Sequence, residues 1–405
     1  MNNKLWMAAL ASVLVASGCS GGSSSSEGED DGATPAVVTS NVTDGQSDVP
    51  VETVVTVDVA DGEIGDVTLT ADDGSVIAGA PVVEGGDEEE TPAAATQWVA
   101  DDRLEPGLGY TLVATAIGDD GKDVTTTQTF TTRSLTLDEQ TFPSVSPLAD
   151  ATVGVGMPVV VNFDLPVTDR ATFERNMHVT SEPEQVGSWN WISDNVAQWR
   201  PQEYWQAGTK VHVDIDVNSL PAGNGIYGQE SNVFDFTVGD AVVATVDISG
   251  YSMSVNVNGE VVKTLPVTTG DATHQTRIGT KIIMEKYESI DMDAATTGVD
   301  SSEPGYYNIA DVRWAMRLTN SGEFIHAAPW SVGSQGNANV SHGCTGLSLE
   351  NSRWLFEQMK IGDVVEYVNG SRPLEANNGW TAWNVSWEEW AAGSALVGEG
   401  DAPQA

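Results

Sequence analysis

The sequence predicts a mainly β protein: two β-sandwiches in series, a third β-rich unit with one clear helix, and a Trp-rich C-terminal segment. Three observations predict it. Short runs of Val and Thr recur between turn residues, and 41 glycines and 17 prolines supply the turns. A chain of 405 residues exceeds one ordinary core and suits two to three domains of roughly 150 residues. Helical periodicity with both a start and a stop signal stands out only at 349–360.

Residues 1–18 read as an export address. Lys4 gives a positive n-region, and the apolar run 5–16 is too short for a permanent span, which needs about 20 apolar residues. Ala16-Ser17-Gly18 before Cys19 resembles the lipobox of bacterial lipoproteins, with Ala16 where Leu is usual. Residues 19–34 are then a lipidated Cys19 followed by a flexible Ser, Gly and acid-rich tether. The expected location is extracytoplasmic, on the outer face of the cell membrane. The competing reading is a plain signal peptide with a chance cysteine.

Residues 35–134 form the first sandwich, with strands at 54–59, 66–70, 110–116 and 123–131 and Asp-Gly turns at 61–62, 73–74 and 120–121. The acidic run at Glu84 and 87–90 reads as a loop tip. Residues 135–239 form the second sandwich, with strands at 158–164, 196–200, 210–217 and 232–238. Thr129-Phe130-Thr131 and Asp235-Phe236-Thr237 end the two units alike and hint at a repeat. Trp189, Trp191, Trp199 and Trp205 are expected to pack in core and loops rather than form a sugar platform.

Residues 240–369 form the third unit. Alternating runs at 241–248, 251–257 and 260–267 flank Asn258-Gly259, a strong hairpin signal. Further strands are expected at 280–286, 313–318, 323–326 and 364–368. The helix 349–360 has Ser348 as N-cap, Glu350 in its first turn, an apolar face of Trp354, Leu355, Phe356 and Met359, and Gly362 past its end. In residues 370–405, the 3-4-3 spacing of Trp380, Trp383, Trp387 and Trp390 would put all four on one helix face. That segment is expected to fold back on the preceding domains, with sugar stacking as the alternative.

A net charge of −42 and a pI near 4.1 exclude nucleic acid and electrostatic binding to anionic polymers as partners. The chain has two cysteines, Cys19 and Cys344. With Cys19 lipidated no disulfide forms, and an unpaired thiol in an exported chain is a candidate nucleophile.

A thiol is largely protonated at neutral pH, so Cys344 needs a base. Of the five histidines, His178 and His212 fall in the second sandwich and read as structural. His326 ends a strand ahead of Cys344 and is placed to act as base. Backbone N–H groups near Gly343 and Cys344 are candidates for an oxyanion site. No metal is expected, because one cysteine and scattered histidines lack paired ligand spacing, and no cofactor is implied.

The stretch His326-Ala327-Ala328-Pro329-Trp330, then Gly333-Ser334-Gln335-Gly336, then Ser341-His342-Gly343-Cys344 resembles the signature of YkuD-type L,D-transpeptidases. The resemblance extends to Asp247, the Asn258-Gly259 hairpin, Thr269-Gly270, the run 277–280 and the run 348–368. It implies two immunoglobulin-like domains before a YkuD-type catalytic domain, in the lipidated actinobacterial form. It implies that Cys344 attacks the third residue of a peptidoglycan tetrapeptide stem and releases D-alanine, and that the thioester passes to a second stem as a 3→3 cross-link. His326 would be the base, steadied by the Ala327 carbonyl, where the family usually has Ser. His342 would support it, Ser321 and Gly322 would line the substrate path, and Tyr306 or Tyr307 would contribute from the flap. Ser341, Gly343 and Gly346 would complete the pocket, and carbapenem β-lactams would acylate Cys344. Gly346 stands where Asn is common and Thr345 where an apolar residue is usual.

Wall cysteine peptidases of the NlpC/P60 type place cysteine before histidine, and a sortase cysteine follows a Thr-Leu-rich strand and needs a downstream Arg; neither pattern matches. A wall L,D-carboxypeptidase, with water taking the thioester, and a non-catalytic surface module are the remaining alternatives.

Overall fold

The computed structural model describes residues 34–83, 94–303 and 306–397. Lys4, Ala16, Cys19 and the acidic run at Glu84 and 87–90 lie outside the described residues. The architecture is mainly β, as the Val/Thr patterning predicts.

The first sandwich pairs a four-stranded sheet (Val37–Ser40, Thr56–Ala60, Gln97–Ala100, Gly79–Val82) with a five-stranded one (Gln46–Val49, Asp123–Thr132, Gly109–Gly118, Gly62–Ala71, Val76–Ile77). Val57, Leu69, Leu112 and Phe130 fill the space between them. Asp-Gly turns at 73–74 and 120–121 close hairpins. The one at 61–62 instead carries the chain from one sheet to the other, with Asp61 at φ 56.

The second sandwich stacks Pro143–Ser146, Val159–Phe163, Val196–Pro201 and Gly187–Ser193 on Thr152–Val153, Asn232–Val238, Lys210–Ile215 and Met177–Glu182. Trp189, Trp191, Trp199 and Trp205 are all buried in its core. In both sandwiches the last strand runs parallel to a short early strand and antiparallel to a longer strand on its other side. Phe130 and Phe236 are buried in these equivalent strands, so the Phe-Thr endings mark one repeated topology.

The third unit has two sheets. The six-stranded one runs Glu260–Pro266, Ser252–Val257, Val242–Asp247, Val364–Val368, Arg277–Ile282 and Arg372–Pro373. The hairpin of Ser252–Val257 with Glu260–Pro266 turns at Asn258 and Gly259, with φ 51 and 93, the left-handed pair that an Asn-Gly turn supplies. The four-stranded one runs Glu285–Asp293, Asn308–Arg317, Phe324–Ala327 and Thr345–Leu347. The single strand expected at 280–286 is therefore two. The chain changes sheets at Ile283 and Met284, whose N–H groups bond to Asp363 (3.0 Å) and Arg317 (2.9 Å) on different sheets. Ile283 is fully buried, so nothing in its character marks the break.

The helix Leu349–Gln358 follows the pattern: the Ser348 hydroxyl accepts from the Asn351 N–H at 3.2 Å, and Leu355 is buried. The tail departs from it. Its helix is only Trp387–Ala391, capped by Ser386 and Glu389, with Trp383 in a separate 3-10 turn at Ala382–Asn384 and Trp380 ahead of both. The four tryptophans thus share no helix face, because Ser386 starts a new helix in mid-pattern. Yet the segment does fold back: the rings of Trp383, Trp387 and Trp390 surround the Arg200 guanidinium of the second sandwich at 4.5, 5.4 and 5.2 Å.

Candidate active site

The parallel pair Phe324–Ala327 and Thr345–Leu347 builds the site. Parallel strands need a crossover, and here residues 328–344 supply it and return Cys344 to the sheet beside the strand it left. The register places His326 opposite Gly346, two residues beyond Cys344. His326 and Cys344 line one cavity of ≈ 220 Å³, with Thr268, Met292, Tyr307, Ile309, Trp330 and His342 among its walls.

Local bonds hold the Cys344 turn. Gly343 adopts φ 121, a conformation that favours glycine, and its N–H donates to the Ser341 hydroxyl at 3.1 Å. That hydroxyl donates in turn to the Cys344 carbonyl at 2.6 Å. Thr276 donates to the Gly343 carbonyl at 2.7 Å and accepts from the Gly270 N–H at 2.8 Å, so the Thr269-Gly270 segment braces the loop. The Cys344 thiol contacts the Gly322 carbonyl at 3.6 Å.

His326 Nδ1 lies 2.8 Å from the Ala327 carbonyl. A carbonyl only accepts, so Nδ1 carries the proton and Nε2 keeps a lone pair. Ala327 serves here through its main chain, so the missing hydroxyl does not disturb this contact. Burial pushes the Cys344 thiol up to about 12 and pushes the His326 imidazole below its ordinary value. Both shifts favour neutral forms. The cavity therefore favours a neutral thiol and a neutral imidazole over a stored ion pair.

The residues singled out from sequence divide clearly. Cys344, His326, His342, Ser341, Gly346 and Tyr307 line the cavity, and Tyr306 does not. The Tyr307 ring lies 5.4 Å from that of His342. Gly322 reaches the thiol through its carbonyl, whereas Ser321 is held outside the lining by Asn378, with both of their bonds at 2.9 Å. At Gly346 an added Cβ would sit 3.0 Å from both Ala328 Cβ and Thr268 Cγ2, so the walls are fitted to a glycine. Thr345 is fully buried, and its hydroxyl pairs with Tyr367 Oη at 2.7 Å. The polar residue in place of an apolar one thus has its partner.

Sequence reasoning missed three groups. Thr268 bonds Gly346 in both directions, at 3.1 and 2.8 Å, and forms the cavity wall. The His274 ring lies against that of His342, tilted by 45° with ring centroids 4.4 Å apart, and Asp271 bonds to His274. Lys281, Glu323 and Arg277 form an ion cluster behind the Cys344 loop. Only burial reveals it, since charges in a strand read as solvent-facing.

The family model described as the L,D-transpeptidase catalytic domain matches residues 241–366. The Bacterial Ig domain model matches residues 46–221. The chain is 36% identical to L,D-transpeptidase 2 of Mycobacterium tuberculosis over 359 residues, 88% of this chain and 85% of that protein. It is 35% identical to L,D-transpeptidase 5 of the same species over 349 residues, covering 82% and 72%. Among solved structures, an L,D-transpeptidase from Mycobacterium smegmatis is 34% identical, covers 56% of this chain and 99% of its own, and has a TM-score of 0.47. LD transpeptidase LdtMt1 in complex with imipenem is 39% identical, covering 56% and 97%, with a TM-score of 0.49. With identity at this level running through both sandwiches and the domain that holds Cys344, the chain belongs to the L,D-transpeptidase family.

Proposed function

We propose that this transpeptidase joins peptidoglycan stems 3→3 through a Cys344 thioester. The observation that carries the reading is the cavity shared by Cys344 and His326, with His326 held through Nδ1 so that Nε2 is free to act as base. Cys344 Sγ attacks the carbonyl carbon of the third residue of a tetrapeptide stem. The thiol proton passes through His326 to the leaving amine, and the bond to the terminal D-alanine breaks. The Gly343 N–H is engaged by Ser341, which leaves the Cys344 N–H as the donor for the oxyanion. The side-chain amine of a second stem then attacks the thioester, loses its proton to His326, and returns the thiol. Tyr307 and His342 shape the wall beside the thiol, and the exposed Trp330 offers its ring at the mouth. The same thiol is proposed to be acylated by carbapenems, and Cys19 to anchor the protein outside the cell membrane, facing the wall.

The test is incubation of purified protein with tetrapeptide muropeptides, followed by mass spectrometry. Dimers linked through third residues, with loss of D-alanine, are expected from the wild type and not from Cys344→Ala. A meropenem adduct is expected on Cys344 alone. Dimers or adducts persisting in Cys344→Ala would sink the reading, and products lacking D-alanine but never dimerised would make the protein a carboxypeptidase.

A further inference from the structure

Behind the Cys344 loop, outside the cavity, lie charges that the transfer reaction as described does not use. Lys281 and Glu323 have side chains 0% and 5% exposed and meet at 2.5 Å. Arg277 adds a second cation to the same carboxylate, through its guanidinium at 2.9 Å and its own N–H at 3.1 Å. Buried ion pairs are poor stabilisers, because desolvation offsets their attraction and apolar side chains of similar size fill such places as well or better. Their position therefore calls for another explanation.

The cluster touches the thiol's neighbours on both sides. Glu323 follows Gly322, whose carbonyl contacts the Cys344 thiol, and its N–H is held by the Thr319 hydroxyl at 2.9 Å. The Glu323 side chain also lies against Gly343, where a Cβ would be 3.7 Å from Glu323 Cγ and Oε1. On the other side, Lys281 Nζ stands 3.7 Å from the Tyr367 ring centroid, and Tyr367 bonds to Thr345, the residue after the nucleophile. Two cations share one buried carboxylate. The other acid on Arg277 is Glu375, which is half-exposed and so screened by water. Two basic groups thus face one buried carboxylate beneath Cys344; burial pushes the Lys281 ammonium below its ordinary value, and Glu323 works to hold its charge.

We propose that the Lys281–Glu323–Arg277 cluster is a positioning device for the Cys344 nucleophile: Glu323 fixes the Gly322 and Gly343 turns that flank the thiol, and Lys281 supplies the positive charge that stabilises the thiolate as it forms. This rests on the reading of Cys344 as nucleophile. Burial opposes the thiolate most and the Phe324 N–H favours it; Glu323 then opposes it further, and Lys281 and Arg317 favour it. Tyr307, Tyr367, His326 and His342 complete the titratable groups around the thiol. Arg317 reaches the site from the neighbouring strand, over the Phe324 ring at 4.6 Å.

The test is the pH dependence of Cys344 alkylation by iodoacetamide, read by peptide mapping in the full chain. Alkylation reports the thiol whether or not acyl transfer occurs. Lys281→Met is expected to move the midpoint to higher pH by on the order of one unit, and Glu323→Gln to move it lower. Lys281→Arg keeps the charge and is expected to keep the wild-type midpoint. The paired change Lys281→Met with Glu323→Leu is expected to fall between the single variants. A purely structural cluster would lower the melting temperature of the single variants and leave their midpoints unmoved; that result, or shifts of the same sign in both, overturns the proposal. Failure of wild-type protein to form a meropenem adduct, with these opposite shifts intact, would instead remove the acyl-transfer reading.

Discussion

At the scale of residues, the cavity holds a thiol and an imidazole whose neutral forms burial favours. The thiol is pushed up to about 12 and the imidazole is pushed down, so in the proposed reaction the proton would move only as attack begins. His326→Gln removes the proposed base and keeps a side chain of similar reach. Acylation of Cys344 by meropenem is expected to slow about 10²–10⁴-fold at neutral pH. The residual rate should climb with pH into the alkaline range, because a thiol with a raised pKa then ionises without help. A variant whose rate stayed level with pH would argue for another base. Cys344, His326 and His342 were legible because the chemistry sits within one short stretch of chain. Lys281 and Glu323 were not, because their pairing joins strands far apart in sequence. Gly346 was legible only as a departure; its reason is the close approach of Ala328 and Thr268.

Elements decide what the motif can do. The parallel pairing of Phe324–Ala327 with Thr345–Leu347 turns a sequence separation into one cavity wall, and no local pattern announces a parallel pair. The same limit explains the strand expected at 280–286. Alternation and β-branching continue across Ile283, and the change of sheet shows only in where the main-chain bonds go. The tail shows the opposite error, a helical spacing extended over residues that a capping Ser386 divides. Its function as a strap survives the correction. Trp390 is buried, its indole N–H donates to the Ser188 carbonyl at 2.9 Å, and it flanks Arg200. Trp390→Ala is expected to destabilise the second sandwich by about 3–5 kcal/mol, through lost contacts and the cavity left behind. Denaturant unfolding should show a lower midpoint, and subtilisin should release the tail sooner. An unchanged midpoint would mean that the strap carries no load.

Over the whole molecule, the units are joined in two different ways. The sandwiches meet through polar contacts: Arg103 pairs with Asp216 at 2.6 Å, and Ser219 bonds to the Leu104 carbonyl at 2.8 Å. The second sandwich and the third unit instead share a core, since Ile282 and Val364 belong to the same buried cluster as Trp199 and Phe236. Gly154 and Gly156 add main-chain bonds to Ile361 and Gly362, at 2.8 and 2.9 Å. The third unit is therefore packed directly against the second sandwich, whereas the two sandwiches meet at a polar joint. Two or more acyl chains suffice for stable membrane residence, so wild-type protein from its host is expected in the detergent phase and Cys19→Ala in the aqueous phase. Equal partitioning of the two would count against the anchor.

The sequence by itself determined the fold class, the repeated sandwich, the capped helix and the Cys344–His326 motif. Each of these rests on interactions between residues close along the chain or on a periodicity that burial imposes locally. Tertiary structure alone decided the change of sheet at Ile283, the course of the tail, the shared core and the charged cluster beneath the thiol. Those depend on pairings between distant segments, where the same residues in another register would have faced water.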